Sequence, residues 1–243
     1  MTSLKDKVVV ITGASRGIGA ATARLFANEQ VKLVICGRDR KRLKEVGESL
    51  GLQKSDYLTV IADVARASGM KKIVHSAYRK FGRIDIFVNN AGVGVRKEIE
   101  KTSEKEFIQT FDTNVKAIFH AFHELVPPMR RQGGGQIINI SSMASKQGAP
   151  YLAVYCASKA AVSVLSEAVA GEVRNDNIKV SVLMPGSTDT GFMTHMGRDH
   201  KPSRKDKPRL TAADVAEAIL FLAKQNKSAW TSLADIRPLM LRN

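Results

Sequence analysis

Cysteine is scarce in this chain: among 243 residues only Cys36 and Cys156 occur, far apart in sequence and both among small apolar neighbours. That excludes a disulfide framework, and with no metal-ligand spacing elsewhere no metal is expected. Two reduced, buried thiols fit a cytoplasmic protein. Long apolar runs are missing as well. The apolar stretch inside MTSLKDKVVVITGAS is too short for a signal-peptide core, and no window approaches the ~18–20 apolar residues of a membrane span, so no membrane partner is expected. Aromatic residues are only 6% of the chain, and the 23 acids are outnumbered by 38 lysines and arginines, for a net charge of +15. Such a surplus attracts polyanions. The bases are nevertheless scattered through RDRKRLK, GMKKIVHSAYRKFGR and one loop, with no helix-turn-helix or RNA-binding signature, so a specific nucleic-acid partner is not expected. A solvated basic surface, an anionic cofactor or an acidic substrate handle remain as readings of the charge.

What is present is a rhythm. Apolar, β-branched runs recur at 8–12, 32–36, 57–61, 84–88, 136–140 and 179–184, with a late candidate near 232–237. Helical periodicity fills 18–29, 40–50, 66–81, 104–130, 153–175 and 211–225. Near-continuous apolar strands, each followed by a helix, predict a parallel sheet covered on both faces. Right-handed crossovers make such a sheet doubly wound. With no repeat or low-complexity linker, residues 1–243 read as one α/β domain. Two segments stand apart: RRQGGGQ (130–136) is a glycine turn, and GRDHKPSRKDKPR (197–209) is a basic, proline-containing loop, a surface connector or a lid.

The stretch VVVITGASRGIG sets Gly13, Gly17 and Gly19 directly after the first strand and at the mouth of a helix. Glycines there let the backbone turn tightly and approach a pyrophosphate, whose charge a helix N-terminus stabilises. The second strand ends VICGRDR, where folds that bind NAD usually present an acid to the ribose hydroxyls. Here Gly37 and Arg38 stand instead, with Arg16 available from the glycine loop. Two guanidiniums suit a 2′-phosphate, so the pattern favours NADP(H) over NAD(H). Asp39 is the feature that speaks for NAD, and Arg38 and Arg40 also suit a solvated helix start. Asp63, just past the third strand, suits an adenine amino group or a helix cap.

In AVYCASKAAV, Tyr155 and Lys159 lie four positions apart, about one helical turn, on one helix face. Alone the pair reads either as snorkelling side chains or as chemistry. A phenol titrating near pH ~10 is a poor catalyst at neutral pH, and a neighbouring ammonium favours its ionisation. The spacing therefore predicts a tyrosine whose pKa is pulled down by the lysine.

Five segments in order, TGASRGIG (12–19), NNAG (89–92), NISSMAS (139–145), YCASK (155–159) and PGSTDT (185–190), resemble the motifs of the classical short-chain dehydrogenase/reductase family over nearly the whole chain. The resemblance implies a Rossmann-like three-layer α/β/α sandwich with a seven-stranded parallel sheet, a nicotinamide cofactor, and hydride transfer to or from a carbonyl. It implies Tyr155 as proton donor, Lys159 as its partner, Ser142 as the hydrogen-bond donor to the substrate oxygen, and Asn114 as the holder of a water; Ser141 is the structural alternative to Ser142, and spacing to the tyrosine favours Ser142. It implies a cofactor site made from Gly13, Ser15, Arg16, Gly17, Ile18 and Gly19, from Arg38, Asp63 and Val64, and from Asn90, Ala91 and Gly92. Tyr155, Lys159, Pro185, Gly186, Thr188 and Thr190 complete it at the nicotinamide end. It further implies a homo-oligomer, tetramer or dimer, built on the helices near 104–130 and 153–173.

A small-molecule carbonyl substrate would be lined by Met143 to Ala149, by Leu152, and by Ser187, Phe192, Met193 and Met196 in a substrate loop at about 187–209. His195, His200, Lys201, Arg204, Lys205 and Lys207 make a basic rim suited to a phosphopantetheine or coenzyme A handle, or simply to solvent. By motif the chain is similar to 3-oxoacyl-carrier-protein reductases. Its ending, AWTSLADIRPLMLRN, departs from their glycine-rich close and is more similar to broad NADP-dependent reductases of 3-hydroxy acids, diketones and related carbonyls. A 3-oxo acid derivative, ketone or diketone is the expected substrate, with the carrier-protein substrate as the alternative. A catalytically silent NADP sensor or a nucleic-acid binder is the reading of another class.

Overall fold

The computed structural model describes residues 1–192, 196 and 208–239. Strands and helices alternate as β1 (Val8–Thr12), α1 (Gly17–Ala27), β2 (Lys32–Gly37), α2 (Arg40–Glu48), β3 (Tyr57–Ile61), α3 (Ala67–Phe81) and β4 (Ile86–Asn89). After α4 (Glu104–Phe111) and α5 (Ala117–Arg131) come β5 (Gly135–Ile140), α6 (Ala153–Val173), β6 (Ile178–Pro185), β7 (Thr188–Asp189), β8 (Leu210–Thr211), α7 (Ala212–Ala223) and β9 (Leu233–Ile236). Seven strands form one sheet in the order β3-β2-β1-β4-β5-β6-β9, and every pairing in it is parallel. The expected seven-stranded, doubly wound α/β/α fold is therefore found.

Alternation along the strands divides the core. Val9, Ile11, Leu33, Ile35 and Ile138 meet Ala23 and Phe26 of α1, Leu43 of α2 and Ile219 of α7 on one face. Val10, Val34, Phe87, Ile137 and Val180 meet α3, α5 and α6 on the other. Burying a side chain such as Phe26 contributes about 1.5–3 kcal/mol, and both faces must be covered for a parallel sheet to persist.

Three expectations change. The single helix expected over 104–130 is divided by a wide π-type turn at Asp112–Lys116, where the regular backbone ladder is interrupted. The short β7–β8 ladder, Thr188 beside Leu210 and Asp189 beside Thr211, was not legible, because neither dipeptide carries a strand pattern. A segment does approach a membrane span in length and composition: Ala153–Asp176 has a mean hydropathy of 1.3 over its most apolar window. Its valines, with alanines, one leucine and one cysteine, produce that value; Val162, Ala170 and Val173 of this helix lie in the core against the sheet.

Chain order reverses between β1 and β4, so their C-terminal ends leave the crevice in which ligands of open α/β sheets bind.

Candidate active site

The glycine loop turns at the top of β1 because Gly13 and Gly17 take φ of +65° and +54°, values that disfavour a side chain. Space is equally decisive. A Cβ on Gly13 would stand 2.8 Å from the Ala91 Cα, and one on Gly19 would overlap the Gly13 carbonyl oxygen. Thr12 and Asn90 staple this loop to the end of β4. The Thr12 hydroxyl accepts from the Asn90 and Ala91 N–H groups at 2.9 and 3.1 Å, and Asn90 Nδ2 donates to the Thr12 carbonyl at 2.9 Å. At the start of α1, Arg16 stands as N-cap without a capping side-chain hydrogen bond, which leaves the first N–H groups to an anion.

A cleft of about 940 Å³ opens over these strand ends. One end is lined by Gly13, Ser15, Arg16, Gly17, Ile18, Arg38, Asp63 and Val64, and Asn90, Ala91 and Gly92 also line the cleft. Ser142, Tyr155, Lys159, Pro185, Gly186, Thr188 and Thr190 line the other end. Of the sequence-predicted site residues only Gly19 and Asn114 do not face it; Gly19 packs under Gly13, and Asn114 is buried beside Gly92. Met143, Ala144, Gln147, Ala149, Leu152, Ser187 and Phe192 line the substrate end, whereas Met196 is buried behind it. Met193, His195, His200, Lys201, Arg204, Lys205 and Lys207 lie outside the described residues.

Sequence reasoning missed Arg42, which also lines the cleft. Asp39 caps α2, its Oδ1 accepting the Arg42 N–H at 3.0 Å, while its Oδ2 lies 3.5 Å from Arg42 Nε. The signal was an acid three residues before a base at a helix start, readable as a cap but not as an aim.

At the chemical end, Lys159 is buried and donates to the Ile140 carbonyl at 2.8 Å, with its Nζ 5.9 Å from the centre of the Tyr155 ring. Burial pushes this ammonium down to about 8. Tyr155 is pushed up by desolvation, opposed in part by a hydrogen bond with the Ser142 side chain. The expectation of a tyrosine pulled down is thus corrected. A lysine desolvated this far gives up its proton before the phenol does, so it supplies no positive charge where the tyrosine titrates. Ser141 and Ser142 both line the cleft, but Ser141 is buried and its hydroxyl donates to the Lys159 carbonyl at 2.9 Å. Asn114 spends its side chain on three bonds: Oδ1 accepts from Val93 N at 2.9 Å, and Nδ2 donates to Val93 O at 2.8 Å and Ser158 Oγ at 2.9 Å.

Residues 7–201 match the family model described as short chain dehydrogenase. The chain belongs to the short-chain dehydrogenase family. Like its relatives, this short-chain dehydrogenase is an oxidoreductase. An uncharacterized oxidoreductase of Staphylococcus saprophyticus is 33% identical over 98% of both chains. The fold of this short-chain dehydrogenase is similar to that of an alcohol dehydrogenase of the archaeon Thermococcus sibiricus complexed with 5-hydroxy-NADP, at 30% identity and a TM-score of 0.87 over 98% of this chain and 99% of that one. It is equally similar to a 3-ketoacyl-(acyl-carrier-protein) reductase of Brucella melitensis complexed with NADH, at 31% identity and a TM-score of 0.87 over 97% and 98%.

Proposed function

We propose that this short-chain dehydrogenase is an NADPH-dependent carbonyl reductase, interconverting a ketone and a secondary alcohol with Tyr155, Lys159, Ser142 and Asn114. The convergence of Tyr155, Lys159 and Ser142 at one end of a cleft whose other end is a glycine cradle carries this reading. The bound nicotinamide supplies or accepts the hydride. Tyr155, kept as a phenol at neutral pH by desolvation, gives its proton to the developing alkoxide oxygen. The Ser142 hydroxyl donates a hydrogen bond to that same oxygen, stabilising the charge that gathers there. Lys159 adds positive charge below about pH 8 and holds its place through the Ile140 carbonyl. With its side chain spent on Val93 and Ser158, Asn114 holds the loop after β4, and its main chain in the π-type turn is the part left to hold a water.

The glycine cradle suits a dinucleotide: a Cβ at Gly13 or Gly19 would strike the Ala91 backbone or the Gly13 carbonyl, so only glycines let the loop turn this tightly at the α1 N-terminus, where a pyrophosphate would sit. The choice of NADP over NAD rests on Asp39. Its carboxylate lines the cleft, but it caps α2 and pairs with Arg42, so part of its hydrogen-bonding capacity is engaged by the protein. Arg16, Arg38 and Arg42 line the cleft around Gly37, a donor set suited to a 2′-phosphate. Asp39→Asn therefore weakens NADPH through Arg42 and leaves NADH use unchanged. A ribose-binding Asp39 would show the reverse, and kcat/KM for both cofactors separates the two.

Among the described residues, the substrate end carries no charged side chain besides Lys159, which favours an uncharged ketone, diketone or 3-oxo ester over a carrier-protein thioester. Turnover across 3-oxo esters, acyl thioesters, diketones and aldehydes tests this. A thioester turned over best would restore the carrier-protein reading. Silence on all, with NADPH still bound, would favour a sensor. A cytoplasmic homo-oligomer, tetramer or dimer, built of single-domain chains completes the proposal, and light scattering reads its mass.

A further inference from the structure

We infer that Gly94 is a positioning residue for Tyr155: the absence of a side chain there lets the tyrosine ring lie directly against the loop after β4 and fixes its place in the cleft. The inference rests on the reading of Tyr155 as proton donor. A Cβ at Gly94 would overlap the Met196 Cε and stand 2.8 Å from Tyr155 Cδ2 and 3.3 Å from Cγ. Gly94 is not in the left-handed region, so space, not backbone conformation, is what requires a glycine.

The loop cannot simply retreat from an added methyl group. On one side Val93 is held through both its N–H and its carbonyl by Asn114, at 2.9 and 2.8 Å. On the other, the Arg96 N–H donates to the Met196 carbonyl at 2.8 Å and the Lys97 N–H to the Tyr151 carbonyl at 2.9 Å. The Lys97 ammonium is further tied to Glu106 at 2.7 Å. The ring has little freedom either. It springs from α6, the Phe192 ring stands 5.9 Å from it between centroids, and Lys159 Nζ lies 5.9 Å from its centre. Of the two neighbours of Gly94, the Met196 methyl is the end of a flexible chain and can swing aside; the aromatic ring can yield only by moving away from Gly94, which changes its place relative to Ser142 and Lys159.

The test compares wild type, Gly94→Ala, Met196→Ala and the double variant by steady-state kinetics, NADPH fluorescence titration and 19F NMR of 3-fluorotyrosine-labelled protein. Tyr155→Phe assigns the resonance of interest among the four tyrosines. Gly94→Ala is expected to lower kcat about ten- to hundred-fold, as misplacement of a reacting group does, with the NADPH Kd unchanged and the Tyr155 resonance shifted. The double variant is expected to stay slow, because the ring and not the thioether is the obstacle. Wild-type kcat with an unshifted resonance in Gly94→Ala would overturn the inference, as would full recovery in the double variant. Should Gly94→Ala not fold, cross-relaxation between the Gly94 Hα and Tyr155 Hδ protons in wild type decides, and its absence overturns the contact. Full activity in Tyr155→Phe would instead sink the proton-donor reading; an inactive Tyr155→Phe beside an unaffected Gly94→Ala sinks this inference alone.

Discussion

Lys159 is an ammonium held in a place that disfavours it. It is buried, its Nζ donates to the Ile140 carbonyl, and its pKa falls to about 8. In the proposed mechanism, reduction needs Tyr155 as a phenol and Lys159 as an ammonium. The reductive kcat is therefore expected to be level below about pH 8 and to fall above it, while alcohol oxidation rises with pH as the phenol ionises; paired pH profiles check both directions. The same group costs stability. Between about pH 8 and the ordinary lysine value of 10.5 the unfolded chain holds more protons than the folded one, so stability rises with pH across that window. Below it the full penalty, about 3 kcal/mol, is present. Lys159→Met is expected to be inactive yet more stable at about pH 7 by up to that amount, less the lost hydrogen bond, with the gain gone near pH ~10.5. Urea denaturation at the two pH values measures it, and equal stabilities at neutral pH would contradict it.

At the scale of elements, the π-type turn at Asp112–Lys116 connects the sheet to the chemistry. It aims Asn114 at Val93 and Ser158, and so ties α4 and α5 to the loop after β4 and to α6. Asn114→Ala leaves the Val93 N–H and carbonyl without their partners; the expected loss is about 2–4 kcal/mol in a denaturant midpoint, with faster amide exchange over 93–97. The glycine loop and the Tyr155–Lys159 spacing were legible in the sequence because each is a local pattern, a few residues set by one turn of backbone. The turn that divides α4 from α5, the engagement of Asp39 and the reason for Gly94 were not. Each depends on atoms brought from elsewhere: Val93 and Ser158 to Asn114, the cleft wall to Arg42, Met196 and Tyr155 to Gly94. The direction of the Tyr155 shift failed for the same reason, since four-residue spacing reports a shared helix face but not how dry that face is.

The whole molecule assembles these parts at the reversal of strand order between β1 and β4, where two helix layers and the strand ends enclose a cleft long enough for a dinucleotide and a small carbonyl compound. The chain carries a net charge of +15, a surplus that would attract the proposed anionic cofactor. Membership of the family comes from a match over most of the chain; the proposed cofactor and substrate rest on the side chains of this cleft. The most direct test is NADPH consumption with a short 3-oxo ester by wild type and by Tyr155→Phe, each shown to bind NADPH equally. The account predicts turnover in wild type, slower with NADH, and a loss of about 10²–10⁴-fold in the variant. Undiminished turnover by Tyr155→Phe would contradict it.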